Sequence, residues 1–236
     1  DHGGKRRVAI FIGCLGNYSY TEIGKGLLEI LEALNVDAFI PKKQLCCGAP
    51  AYFKGDFATV DHNAKKNIVY FEQFIDDVEA IIIPEATCSA MIKIDYDHFF
   101  HDQPEWQARA NKLKDKVFMA TEWLEQKTDL KTLLASKGRS DLVVTYHDPC
   151  HARKMQGVYK EPRALVSQNY TITEMSDPNA CCGFGGVTMQ TEKFHFAQAA
   201  GKPKAAMIDK TGAQVVTAEC SACRMQINNS LHEAQS

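Results

Sequence analysis

With 236 residues, 45% of them hydrophobic, the chain can bury a substantial core as one large domain or two smaller ones. A formal net charge of −2, with no basic stripe and no like-charge block, argues against nucleic acid as a partner and against a charged tail. The longest apolar runs, Val8 to Ile12 and Ala80 to Ile83, are far too short to span a bilayer.

The chain opens on Asp1 rather than Met and carries no secretory signal. It reads as a processed or excised piece of a longer protein, with His2-Gly3-Gly4 as linker residues. The first strand, Val8 to Ile12, ends at Gly13-Cys14. A helix follows over Thr21 to Leu34, with Leu27, Leu28, Leu31 and Leu34 on one face and Asn35 at its end. Cys46-Cys47-Gly48 precedes a helical pattern from Ala58 to Phe74, and Ile81 to Ile83 runs as a strand through Pro84 towards Cys88. Pro104 to Gln126 reads as one polar-faced helix, and Lys127 to Asp141 as the connection onward. The strand Leu142 to Tyr146 leads through His147-Asp148-Pro149 to Cys150. Cys181-Cys182-Gly183 precedes a helix over Glu192 to Lys210, expected to break at Gly201-Lys202-Pro203. A last strand, Gln214 to Thr217, runs to Cys220-Ser221-Ala222-Cys223.

The cysteines repeat. Cys14 matches Cys150, Cys46-Cys47 matches Cys181-Cys182, and Cys88 matches Cys220, at an offset of about 135 residues that is too long for a solenoid unit and implies duplicated domains. Gly48 and Gly183 follow the two vicinal pairs, and Cys88-Ser89-Ala90-Met91 parallels Cys220-Ser221-Ala222-Cys223. Short, continuous apolar strands alternating with helices predict an α/β protein of two duplicated units with mainly parallel sheets, related by a pseudo-two-fold repeat. The units are expected over 5–126 and 140–236, with 127–139 connecting them. In such sheets ligands collect beyond the carboxyl ends of the strands, where Cys14, Cys88, Cys150 and Cys220 all fall.

Nine cysteines cannot all pair within one chain, and a disulfide between neighbours is strained. Clustered thiols of this kind serve metals or catalysis in a reducing compartment. Soft thiolates point to zinc, copper(I) or iron–sulfur. The second half offers five, Cys150, Cys181, Cys182, Cys220 and Cys223, one more than a tetrahedral zinc takes. The first offers Cys14, Cys46, Cys47 and Cys88, because Met91 stands in the fifth place, where core packing is its ordinary role. This half suits a four-thiolate cluster, a zinc, or a cluster with one exchangeable position. The glycine after each vicinal pair removes a side chain near the metal or permits positive φ. His147 and His151 flank Cys150 and read as hydrogen-bonding or capping groups, with a part as ligands or proton carriers as the alternative. Arg153 and Lys154 read as solvated, with balancing cluster charge as the alternative, and Glu219 receives no role. No phosphate loop, nucleotide fingerprint or nucleophile triad is present.

Both halves resemble the cysteine-rich CCG-domain family. Its members include heterodisulfide reductase B subunits, iron–sulfur subunits of glycolate and lactate oxidation systems, and the C subunit of anaerobic glycerol-3-phosphate dehydrogenase. The segments that carry the resemblance are Gly13-Cys14-Leu15-Gly16-Asn17-Tyr18, Cys46-Cys47-Gly48-Ala49-Pro50, His147-Asp148-Pro149-Cys150-His151 and Cys181-Cys182-Gly183-Phe184-Gly185-Gly186; Pro104-Glu105-Trp106 is similar to the lactate-utilisation type. The resemblance implies one or two [4Fe–4S] clusters, non-cubane in the second half with its five cysteines, and a cluster or zinc in the first. It further implies an electron-transfer subunit of an oxidoreductase complex without catalytic side chains of its own. Its partners would be a flavoprotein dehydrogenase subunit, for glycolate, lactate or glycerol-3-phosphate, and another iron–sulfur subunit or domain. Electrons would pass towards quinone, in the cytoplasm or peripherally on the inner face of the cytoplasmic membrane. The alternative is a heterodisulfide-reductase-like enzyme that cleaves disulfides at a non-cubane cluster.

Overall fold

The computed structural model describes residues 6–234, and the chain divides into two compact units, the first ending at Leu124 and the second beginning at Glu125. The expected linker at His2-Gly3-Gly4 lies outside the described residues.

The first unit runs β1 (Arg7–Ile10), α1 (Gly13–Tyr18), α2 (Thr21–Ala33), β2 (Asp37–Phe39), α3 (Ala49–Lys54), α4 (Phe57–Phe71), β3 (Ala80–Ile83), α5 (Ala86–Ala90), a π-helical stretch Met91–Asp95, α6 (Tyr96–Phe99), α7 (Pro104–Lys114), β4 (Val117–Met119) and α8 (Ala120–Lys127). Its sheet has the order β2-β1-β3-β4, and every pair is parallel. All four residues of inner strand β3 are buried, as a strand covered on both faces by helices must be. In α2 the leucine stripe buries Leu27 and Leu31, and Asn35 ends the helix with φ of 55°, a left-handed conformation asparagine tolerates better than most residues. Asp56 caps α4 by accepting from the Thr59 N–H at 3.2 Å. Phe11 meets Phe71 edge-on at 5.9 Å over a core that includes Ile68, Ile81, Ile83 and Phe100. Each such side chain contributes about 1.5–3 kcal/mol on burial.

The expected single helix over Pro104 to Gln126 is a helix, a strand and a helix. Val117-Phe118-Met119 pairs in register with Ile81-Ile82-Ile83 as β4. Three apolar residues next to an open strand edge gain a hydrogen-bond ladder and a buried face there, which outweighs the helix-forming residues on either side.

The second unit runs α9 (Leu130–Ala135), β5 (Val143–Tyr146), α10 (Cys150–Gln156), α11 (Lys160–Val166), β6 (Thr171–Ile172), two 3₁₀ turns over Gly186–Met189 and Thr191–Lys193, α12 (Phe194–Asp209), β7 (Val215–Thr217) and α13 (Ser221–Ala234). Its parallel sheet has the order β6-β5-β7, repeating β2-β1-β3, and among the described residues β4 has no counterpart.

The expected break at Gly201-Lys202-Pro203 does not occur: α12 is continuous with Pro203 inside it. The reason is packing. A Cβ on Gly201 would lie 2.1 Å from Ser230 Oγ and 2.8 Å from Gln226 Nε2 of α13, so glycine lets the two helices close on each other. That contact, with Gln226 Nε2 donating to the Ala197 carbonyl at 2.9 Å, offsets the helical hydrogen bond that proline cannot make. Among the described residues, no helix is long and apolar enough to cross a membrane.

Candidate metal centre

In both sheets the chain leaves the central strand to one side, returns, and crosses to the other. The carboxyl ends of β1 and β3, and of β5 and β7, therefore flank a topological switch point, where open α/β sheets form a ligand crevice. The cysteines stand there. Cys14 lies in the first turn of α1 after β1, Cys46-Cys47 between β2 and α3, and Cys88 in α5 after β3. Cys150 opens α10 after β5, Cys181-Cys182 follow β6, and Cys220 and Cys223 stand before and within α13 after β7. None of the nine is in a disulfide.

In the first unit the sulfurs of Cys47 and Cys88, both buried, are 3.4 Å apart. Cys46 hydrogen-bonds Cys14 on one side and Cys47 on the other, so the four sulfurs form a chain. The Cys46 hydrogen bond and burial push the Cys14 thiol far up. In Cys88 the Cys47 hydrogen bond acts downward, but burial and the charge of Glu85 win and the thiol rises. Gly13 has φ of 72°, and a Cβ there would lie 3.1 Å from Cys88 Sγ, which is why the turn before Cys14 needs glycine. The vicinal pair is held from behind. Asn67 of α4, fully buried, accepts from the Leu45 N–H at 2.9 Å and donates to the Cys46 carbonyl at 3.2 Å, and the Tyr96 hydroxyl donates to the Cys47 carbonyl at 2.9 Å. Met91 is fully buried in the same core as Cys47 and Cys88.

In the second unit Cys182, Cys223 and His147 place their ligand atoms within 4.8 Å of one another, all three residues buried. Hydrogen bonds from Cys181 and Cys223 hold the Cys182 thiol far below its ordinary range, while the hydrogen bond to Cys182 pushes Cys181 and Cys223 up. Burial and the charges of Cys220 and Cys182 raise Cys150, whose sulfur lies 3.4 Å from His151 Nδ1. Each set is thus a group of sulfurs that share protons, and a soft cation would displace those protons. His147 is 1% exposed; one of its ring nitrogens lies within 4.8 Å of the Cys182 and Cys223 sulfurs, and its contact with Cys182 helps hold that thiol down.

Gly48 and Gly183 are left-handed, with φ of 94° and 92°, and the N–H of each donates to the first sulfur of its vicinal pair, at 3.5 and 3.3 Å. Gly183 has a second reason: a Cβ there would lie 2.7 Å from both the Ala197 carbonyl and Ala200 Cβ of α12. Arg153, expected to be solvated, pairs with the fully buried Asp148 at 2.5 Å. Arg163 takes the other carboxylate oxygen at 2.6 Å, and Asp148 is thereby neutralised two residues before Cys150. The donor set, thiolates with an imidazole and no carboxylate ligand, fits a soft metal or an iron–sulfur cluster.

The CCG cysteine-rich domain model matches residues 8–93 and 144–228, one match in each unit. Lactate utilization protein A of Bacillus subtilis is 31% identical over 227 residues, 95% of this chain and 92% of that protein. Its counterpart in Geobacillus kaustophilus is 36% identical over 183 residues, 76% of this chain and 73% of that protein. An uncharacterized iron-sulfur protein of Methanococcus maripaludis is 35% identical over 229 residues, 96% of this chain and 42% of that protein.

Proposed function

The chain belongs to the CCG cysteine-rich domain family, and from that premise we propose that it is an iron–sulfur electron-transfer subunit of a lactate-oxidation system. Cys150, Cys181, Cys182, Cys220 and Cys223 would hold a [4Fe–4S] cluster of the five-cysteine, non-cubane kind in the second unit. Cys14, Cys46, Cys47 and Cys88 would hold a centre in the first. Bound there, the clusters supply one-electron chemistry at potentials set by hydrogen bonds, net charge and burial.

The observation that carries this reading is the mixed exposure of each sulfur set. Cys47 and Cys88, and Cys182, Cys220 and Cys223, are buried, whereas Cys14 and Cys181 are exposed. Buried sulfurs keep water from the centre, and one exposed sulfur gives a partner an edge to approach. The Gly48 and Gly183 N–H groups donate to Cys46 and Cys181, and such bonds to ligand sulfur raise a centre's potential. We place the chain between a flavoprotein dehydrogenase, for lactate or a related hydroxy acid, and a further iron–sulfur subunit or domain, with quinone as the eventual acceptor. A reducing cytoplasmic setting, peripheral to the membrane, suits nine cysteines none of which is in a disulfide.

The exposed Cys181 edge favours relay, because disulfide cleavage would need a substrate pocket beside the second centre. For the first unit, zinc is the second reading. Tetrahedral Zn–S bonds of about 2.3 Å set sulfurs ~3.8 Å apart, close to the 3.4 Å between Cys47 and Cys88.

Anaerobic purification and reconstitution, followed by iron, zinc and acid-labile sulfide analysis and EPR of oxidised and reduced samples, tests the reading. Sulfide and a reducible EPR signal are expected. Zinc without sulfide after reconstitution would refute electron transfer.

A further inference from the structure

The two units restrain the backbone before their vicinal cysteines from the same place, with different chemistry. In the first, Asn67 of α4 holds Leu45 and Cys46. In the second, Lys204 of α12 donates from Nζ to the carbonyls of Asp177 at 2.9 Å and Pro178 at 3.4 Å, and lies 3.4 Å from Met175 Sδ. Each residue sits on the long helix downstream of its Cys-Cys-Gly turn, at nearly the offset that relates the cysteines. The restraint is repeated; the charge is not.

A second difference separates the repeats, Cys223 in place of Met91. The unit with one more thiol is therefore the unit with one more buried cation. A neutral amide suffices to hold the turn in the first unit, so the restraint alone does not require an ammonium. Lys204 is 1% exposed, and a charge so placed is costly unless an anion answers it. Burial pulls the Lys204 pKa down, while the charges of Asp177, Cys182, Asp148 and Cys181 favour its ionised form. Asp148 already has an arginine on each oxygen. Asp177, the largest of these charges, and Cys181 are exposed to solvent, which leaves Cys182 as the buried anion that answers the ammonium.

We infer that Lys204 is the charge partner of the second centre: its buried ammonium offsets thiolate charge at Cys182 and holds the potential of that centre above the value a neutral residue would give. It is a positioning residue, not a ligand. The inference rests on the reading that the sulfur sets hold metal.

The test uses the whole chain, loaded anaerobically with iron and sulfide, as wild type, Lys204→Gln and Lys204→Arg, with redox titration followed by EPR. Glutamine keeps a donor for the carbonyls and removes the charge; arginine keeps both. In Lys204→Gln the reduced-to-oxidised ratio of the second centre at a fixed poise should fall at least tenfold, ~59 mV for a one-electron couple. The first centre should be unmoved and Lys204→Arg should stay near wild type. A wild-type potential in Lys204→Gln would overturn the inference. So would loss of the second centre in both variants with the first intact, because shape rather than charge would then matter. If even the wild type takes up no iron or sulfide, the proposed function fails, and the charge partner is read with zinc alone. Second-site zinc should then pass to a chelator at least tenfold faster from Lys204→Gln than from wild type or Lys204→Arg; equal rates in all three would overturn it.

Discussion

The backbone N–H of Asp148 donates to the carbonyl of Pro178 at 2.9 Å, tying the turn after β5 to the loop that leads into Cys181-Cys182. Lys204 Nζ donates to the same carbonyl at 3.4 Å. Three segments that bear or support thiols are thus fixed by one oxygen, and the two arginines hold the side chain of Asp148 as firmly as Pro178 holds its backbone.

Asp148→Asn should lower the stability of the second unit by about 3 kcal/mol, the usual consequence of removing one partner from a buried ion pair. Arg163, which also holds Glu174 at 2.5 Å, would keep a partner, whereas Arg153 would keep only its contact with the Tyr159 ring at 4.5 Å. Denaturant unfolding of the metal-free chain checks this, and an unchanged midpoint would show that the pair is not structural.

Gly183→Ala should lower stability by at least about 2 kcal/mol, since it combines a left-handed backbone with overpacking against α12. Gly157→Ala is the control. It shares a positive φ of 72° but has open space at the Cβ position, so only about 1 kcal/mol is expected. Comparable losses in both would mean that space at position 183 is not limiting.

Cys182→Ser should abolish the EPR signal of the second centre and leave metal in the first, because the two ligand sets belong to separate compact units. Metal analysis of the variant against wild type reads this directly. Equal loss from both units would argue against independent centres.

Met91→Leu should leave the metal content of the first unit unchanged and alter stability by less than about 1.5 kcal/mol, as volume-conserving core changes do. Met91 is fully buried among apolar neighbours. Loss of metal on this change would instead give the thioether a part in the centre.

Acid should weaken the first unit in a way that Glu72→Gln removes. Arg109 donates to both Glu72 oxygens, at 2.8 and 2.6 Å, and holds its pKa below the ordinary 4.5. A depressed folded value stabilises the protein above the unfolded pKa, and that contribution is lost as pH falls through the folded one. For a pair this exposed the size is about 0.5 kcal/mol. Thermal melts from neutral pH into acid should show a shallower slope in the variant than in wild type.

The sequence exposes those features whose cause is local. Val8 to Ile12 and Ile81 to Ile83 are apolar enough to be inner strands in any context, and Leu27 and Leu31 mark α2 by spacing alone. The cysteine repeat needs only counting. β2, β4 and β6 escape because two or three residues carry no period, and what makes Val117-Phe118-Met119 a strand is the β3 edge beside it. Gly201-Lys202-Pro203 reads as a break until Ser230 supplies the reason for glycine. Asn67, Tyr96, His147 and Lys204 are ordinary letters in the sequence. Their meaning comes from which carbonyl or sulfur the fold sets against them.

Because every strand pair is parallel, each one requires a long crossover, and no sulfur set is complete within a single local segment. Cys47 and Cys88, in contact in the folded unit, are 41 residues apart along the chain. Before the sheet forms, only the vicinal pairs and Cys220 with Cys223 are near neighbours, and each can offer a metal just two sulfurs. Assembly must therefore wait for topology, which for sheets of this kind forms late and slowly. The first set is complete once the chain has been synthesised through α5, while the second waits for α13. Domains fold in the order they are made, so a growing chain passes through an interval in which one centre is ready to be loaded and the other does not yet exist.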